Sequence, residues 1–238
     1  MAKVFKMFFI FAFSSAFLSS CLKDQESRVY VEIFSVIRSS AGATYFSSDD
    51  GIDLYPLNVS YNPDWGSDGD RIVVGFYYNP FTVSETTKRM DINVESLMSV
   101  QTDRLALPST VDTVGTGKFL YDNNSSEAGI VAWTAQNYLT AKFSVEYSDA
   151  KKHTFGFIEE PELFRDDTLF LGMWHNTKEN SKTKSAKSHI ALNLSNYDQY
   201  LSRRDSTIIS IKYSGEDLSS SAGNYICNVK YRRKDNSN

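Results

Sequence analysis

Cysteine, histidine and proline are all scarce in this chain: two, three and five residues respectively among 238. Cys21 lies in the N-terminal segment, so only Cys227 remains for the folded part and no internal disulfide is possible there. The histidines stand at 153, 175 and 189, without the close H-x3-H or C-x2-C pairs of zinc sites, so neither a metal nor another cofactor is expected. A G-x-S-x-G nucleophile turn is lacking too, and Gly115-Thr116-Gly117-Lys118 lacks the spacing of a phosphate loop. Basic residues cluster only at the chain end, in Lys230, Arg232, Arg233 and Lys234, which excludes a nucleic-acid-binding face of useful size. Finally, no apolar run reaches the roughly 20 residues that a membrane-spanning helix needs.

The first 22 residues, MAKVFKMFFIFAFSSAFLSSCL, are distinctive. Lys3 and Lys6 form a basic n-region, residues 4–17 a short apolar core, and Leu18-Ser19-Ser20-Cys21 a lipobox. Cleavage before Cys21 leaves an acylated cysteine that tethers the chain to a membrane outside the cytoplasm. We therefore assign residues 1–20 to a lipoprotein signal peptide and 21–27 to a lipidated tether. Lys23-Asp24-Gln25-Glu26 resembles the acidic signals that carry lipoproteins to the outer face of the outer membrane. The expected location is the outer membrane, at its cell-surface or periplasmic face. Loss of Lys3 and Lys6 leaves 23 basic against 29 acidic residues, a mildly acidic net −6.

Hydrophobic residues make up 41% of the chain and aromatics 14%, enough for real cores and hence for a folded protein. Val29, Val31, Ile33 and Ile37 share one face of a period-2 pattern, with Glu32 and Arg38 on the other. Residues 43–47 and 52–57 flank the turn Asp49-Asp50-Gly51, and RIVVGFYY at 71–78 and RMDINVE at 89–95 read as further strands. So many strands in so short a stretch, without a long helix, predict a small closed barrel of the OB type over residues 28–104. Residues 103–118 carry little periodicity and mark the boundary. Strand patterns then recur at 139–147, 153–158, 168–174, 188–194, 207–213 and 224–231, predicting a C-terminal antiparallel β-sandwich over residues 105–238. Cys227 alternates with Tyr225 and Val229 and reads as a buried apolar residue. NTKENSKTKSAK at 176–187 reads as a long polar hairpin tip.

Three groups of residues invite a chemical reading. Asp64, Asp68 and Asp70 flank Gly66 and Gly69 but miss the EF-hand spacing, so they read as a turn. Glu159, Glu160, Glu162, Asp166 and Asp167 are the carboxylates a hydrolase would draw on, and read as a solvated loop at 159–167. Trp65 sits in a stretch rich in turn residues, with Tyr77, Tyr78 and Phe81 further along, and aromatic faces at such places bind extended ligands.

Tyr45 before Asp49-Asp50-Gly51 and Leu54-Tyr55-Pro56, the run Gly69-Asp70-Arg71-Ile72-Val73, and the pair His175-Asn176 together resemble the NigD-like lipoproteins. The chain departs from their pattern at Trp65 and Trp174. The resemblance implies an OB domain followed by a β-sandwich. It also implies an immunity-type role, since the family takes its name from the operon of a bacteriocin. The combined expectation is a non-enzymatic binding module, held at the membrane by Cys21, with a protein, peptide or glycan partner. The alternative is a glycan-binding protein or hydrolase using the 159–167 carboxylates. Cys21→Ser is expected to abolish incorporation of labelled palmitate and to move the protein from the membrane fraction to the soluble one.

Overall fold

The computed structural model of the chain describes residues 29–40, 43–58, 65–78, 83–84, 86–102, 119–121, 129–149, 153–177, 184–202, 205–217 and 222–232. Residues 1–28, Cys21 among them, Asp64, Phe81 and residues 178–183 lie outside the described residues.

Five strands form the first body: β1 (Val29–Ser40), β2 (Ala43–Ser48), β3 (Asp53–Pro56), β4 (Arg71–Tyr78) and β5 (Arg89–Ser99). They close in the order β1-β2-β3-β5-β4, the OB arrangement, with β3 parallel to β5 and the other pairs antiparallel. Alternation sends Ile37, Phe46, Leu54, Ile72, Val74, Phe76 and Ile92 inward to one core. β4 does not alternate because both its faces are covered: Ile72 and Val74 face the barrel core, Val73 the second body. Between Gly75 and Phe76 the β4–β5 register shifts, and the Tyr30 ring crosses Gly75 to bond Ser96 Oγ at 2.9 Å. A Cβ on Gly75 would collide with both side chains.

The second body is a sandwich built from β6 (Gln101–Thr102), β7 (Phe119–Tyr121), β8 (Ile130–Ala135), β9 (Tyr138–Tyr147), β10 (His153–Arg165), β11 (Thr168–Thr177), β12 (Lys184–Asn193), β13 (Ser206–Asp217) and β14 (Ala222–Arg232). One sheet runs β6-β12-β9-β8; the other runs β10-β11-β13-β14, with β7 also paired to β13. Gln136–Asn137 and Asp166–Asp167 make two-residue hairpin turns with φ of 50°, 67°, 49° and 62°, a conformation that Asn and Asp tolerate. Phe119, Phe143, Phe157, Leu171, Ile209 and Ile211 lie in the shared core.

Four features differ from the sequence reading. The stretch 176–187 is not a hairpin tip: Asn176 and Thr177 end β11, residues 184–187 begin β12, and the two strands lie in different sheets. β11 lies parallel to β13, so the sandwich pairing is mixed. A strand beyond those expected, β8, precedes β9 and pairs with it across the turn at Gln136–Asn137. The carboxylates at 159–162 are on strand β10, not in a loop, because β10 continues past a bulge with its outer face in solvent.

The outer face of the β12-β9-β8 sheet packs on the barrel. Val36 and Val73 meet Val100, Tyr138 and Ala191 in a third apolar cluster. Beside it lies Arg71, 1% exposed. Its guanidinium grips Asp49 through two contacts of 2.5 Å and donates to Thr140 Oγ1 at 3.0 and 3.3 Å. Trp133 Nε1 donates to the same carboxylate at 2.7 Å, Gln136 to Ser48 O at 2.9 Å, and the Tyr138 hydroxyl to Gly69 O. Removing one member of a buried ion pair strands the other, at a cost of about 3–5 kcal/mol. Arg71→Ala is therefore expected to lower the urea-unfolding free energy by about that amount; a loss below about 1 kcal/mol would contradict the role assigned to the pair.

Candidate binding site

A cavity of about 420 Å3 opens where the barrel meets one margin of the sandwich. Met98 and Ser99 from the end of β5, with Val100 and Gln101, form one wall; Ala186, Lys187, Ser188 and His189 of β12 form the other. Val145 and Tyr147 of β9 and His153 and Phe155 of β10 complete it. The volume falls in the range of roughly 300–1,000 Å3 usual for ligand pockets.

Sequence explains why there is space. In register, Ala186 lies opposite Val145 and Ser188 opposite Phe143, so β12 brings small side chains where its continuation brings Ile190 and Leu192. Gln101 Nε2 reaches across to Phe155 O in a long 3.5 Å contact, linking β6 to β10.

Strand pairing brings two of the three histidines together. His153 Nδ1 and His175 Nε2 are 2.8 Å apart, one donating and the other accepting, and His153 Nε2 lies 3.3 Å from Thr177 Oγ1. His175 is buried against Phe155, with ring centroids 4.5 Å apart. His189 stands edge-on to Phe34 across the join, 4.9 Å between centroids. Among the described residues, no three of His, Cys, Asp and Glu are grouped to hold a metal ion. The arrangement offers an apolar floor with imidazoles and a lysine at its rim, suited to holding a ligand.

The aromatics singled out in the sequence do not form one surface. Trp65 is half-buried and packs on the barrel core beside Phe46, 6.2 Å between centroids. Tyr78 also packs on that core, next to Phe76. Tyr77 points outward, 46% exposed, against Tyr30 at 5.2 Å, a partner that the β1–β4 register alone reveals. Asp68 and Asp70 accept from the backbone of Ser39 and Ser67 at 2.8 and 2.7 Å, as turn residues do. Glu159 accepts from the Tyr197 hydroxyl at 3.0 Å, and Glu162 pairs with Arg165 at 2.8 Å. Burial, with that bond to Glu159, pushes the Tyr197 phenol far above its ordinary range. Cys227 packs half-buried on the sandwich core, and burial raises its thiol. Met98, Tyr147 and Ala186 escaped the sequence reading because nothing in their local pattern marks a cavity wall.

Burial, reinforced by Lys142, holds the pKa of His189 below its ordinary value of 6.5. The unfolded chain thus binds a proton at this residue that the folded chain refuses, so stability falls as pH drops below about 6.5 toward the lowered value. His189→Gln removes this contribution. Urea midpoints at pH 7.5 and pH 5.5 are expected to differ less for the variant than for the native protein.

The geometry can be set beside known proteins. No curated protein matches the chain in sequence. Among solved structures, one described as a toxin-related protein from Parabacteroides distasonis superposes with a TM-score of 0.62 at 18% identity, covering 86% of this chain and 94% of that one. A protein described as a lipoprotein from Bacteroides fragilis gives 0.60 at 13%, covering 87% and 100%. A NigD-like immunity protein from Bacteroides caccae gives 0.59 at 16%, covering 87% and 98%. At these identities the shared property is the two-body fold. Residues 123–225 match the family model of the NigD-like C-terminal β-sandwich domain, so this C-terminal part of the chain is similar to the domains of that family.

Proposed function

We propose that the protein is a non-enzymatic interaction module, tethered to the outer membrane through a lipidated Cys21, that holds a polypeptide partner in the cavity between barrel and sandwich. The observation that carries this reading is the cavity itself. Its walls come from two bodies joined by the buried Arg71–Asp49 clasp, so the site is formed before a partner arrives. A pre-formed site loses little entropy on binding and tolerates a modest contact area. Of the five carboxylates that a hydrolase would draw on, Glu159 is taken by Tyr197 and Glu162 pairs with Arg165. The likeness of fold to a NigD-like immunity protein supports a secreted, bacteriocin-like polypeptide as the partner.

A photo-crosslinking residue placed at Met98, 49% exposed on the cavity wall, is expected to trap one discrete polypeptide in intact cells, while the same residue at Tyr77 traps none. Adducts from Tyr77 alone would move the contact to the outer barrel face. Recovery of glycan instead, or a turnover abolished by Glu160→Gln, would overturn the reading.

A further inference from the structure

We infer that a second cavity, between Arg38 of the barrel and Arg232 of the sandwich, binds a phosphorylated sugar. Its volume is about 440 Å3. Arg38 of β1 forms one part of the wall; the β8–β9 turn, a short helix (Asp198–Leu201) and the end of β14 at Arg232 form the rest. It shares no residue with the first cavity, so it goes beyond the polypeptide site and does not rest on it.

Two guanidinium groups on one cavity suit an anionic oxygen group, because each presents a planar fork of donors that fits phosphate. Among the described residues, neither Arg38 nor Arg232 forms an ion pair with a carboxylate. Asp198 is the one acid on the lining, and it is exposed. Asp68 and Asp70 are not part of the lining; their carboxylates accept from Ser39 N and Ser67 N. The cavity thus carries two positive charges against one negative, on a chain whose overall charge is acidic. The Asp198 carboxylate repels a bare anion but accepts from hydroxyl groups, which a sugar supplies. Thr134, Gln136 and Asn137 add neutral hydrogen-bonding groups. The amides of Gln136 and Asn137 are fixed by bonds to Ser48 O and Ser195 Oγ at 2.9 and 2.7 Å, so this wall is set before a ligand arrives and little ordering is lost on binding. Inorganic phosphate would satisfy the arginines and leave Asp198 facing an anion. An acidic peptide would bring more negative charge against it. A sugar phosphate meets both demands, whether it is the headgroup of a membrane glycolipid or a soluble molecule.

The test is calorimetric titration of the full mature chain, at constant ionic strength, with the monophosphates of glucose, mannose and glucosamine, the parent sugars and inorganic phosphate. At least one sugar phosphate is expected to saturate a single site, with its parent sugar and inorganic phosphate each bound about tenfold or more weakly. Arg38→Gln and Arg232→Gln should each weaken that sugar phosphate by about tenfold or more. Their ligand-free thermal midpoints should stay near that of the native protein, since neither side chain is buried. Asp198→Asn should act in opposite directions, weakening the sugar phosphate and strengthening inorganic phosphate, whereas a merely basic patch would bind both more tightly. Vesicles carrying a phosphorylated glycolipid separate the two sources. Vesicle binding that Arg232→Gln abolishes assigns the headgroup; a bound sugar phosphate without vesicle binding assigns the soluble ligand. No saturable binding, inorganic phosphate held as tightly as any sugar phosphate (an adventitious ion only), or unchanged affinity in both arginine variants would each overturn the site. So would tighter binding of both ligands by Asp198→Asn, or preference for an acetylated tetra-aspartate peptide.

Discussion

A guanidinium without access to water must have partners on every side, and Arg71 sets that requirement for the whole molecule. Its charge is tolerable because Asp49 faces it in a forked contact and Thr140 Oγ1 accepts from its Nε and Nη2. Asp49 in turn needs the β2–β3 turn to hold it in place, and Trp133 to donate to its second oxygen. One ion pair within the barrel is thus completed by side chains of the sandwich. The two bodies cannot separate without exposing or stranding a charge.

That dependence gives meaning to the residues that mark the resemblance to the NigD-like lipoproteins. Asp49-Asp50-Gly51 and Gly69-Asp70-Arg71 lie at two turns of the barrel, and both turns meet the β8–β9 hairpin. Gln136 reaches Ser48 O and Tyr138 reaches Gly69 O. Gly51 and Gly69, with φ of 78° and 92°, let the chain turn sharply enough to do this. The third marker, His175, serves the interior of the sandwich, its ring tilted against Phe155 and bonded to His153. All three keep a shape whose open margin is the cavity.

The join also governs how the barrel passes into the sandwich. β5 ends at Ser99; Val100 then packs with Val36, Val73, Tyr138 and Ala191, and Gln101 and Thr102 pair with Ile190 and Ala191 of β12. Closure of the barrel removes its strand edges, and the chain leaves it directly into the second sheet.

Much of the barrel was legible because its strands are wet on one side: Met90, Ile92 and Val94 alternate with charged or polar neighbours, and alternation identifies both strand and face. RIVVGFYY was recognised as a strand, but its second buried face had no local signature. The same blindness put Glu159 in a loop and Trp65 on a surface, since nothing near them in sequence announces Tyr197 or Phe46. The sequence by itself determined the two-body all-β order and the turns, because these depend on neighbours within a few residues. Only the tertiary structure decided that Arg71 belongs to a clasp, that His153 and His175 touch, and that Met98 and Ala186 face each other across a cavity. Those relations join residues far apart along the chain, and the sheet registers that bring them together follow from packing of the whole.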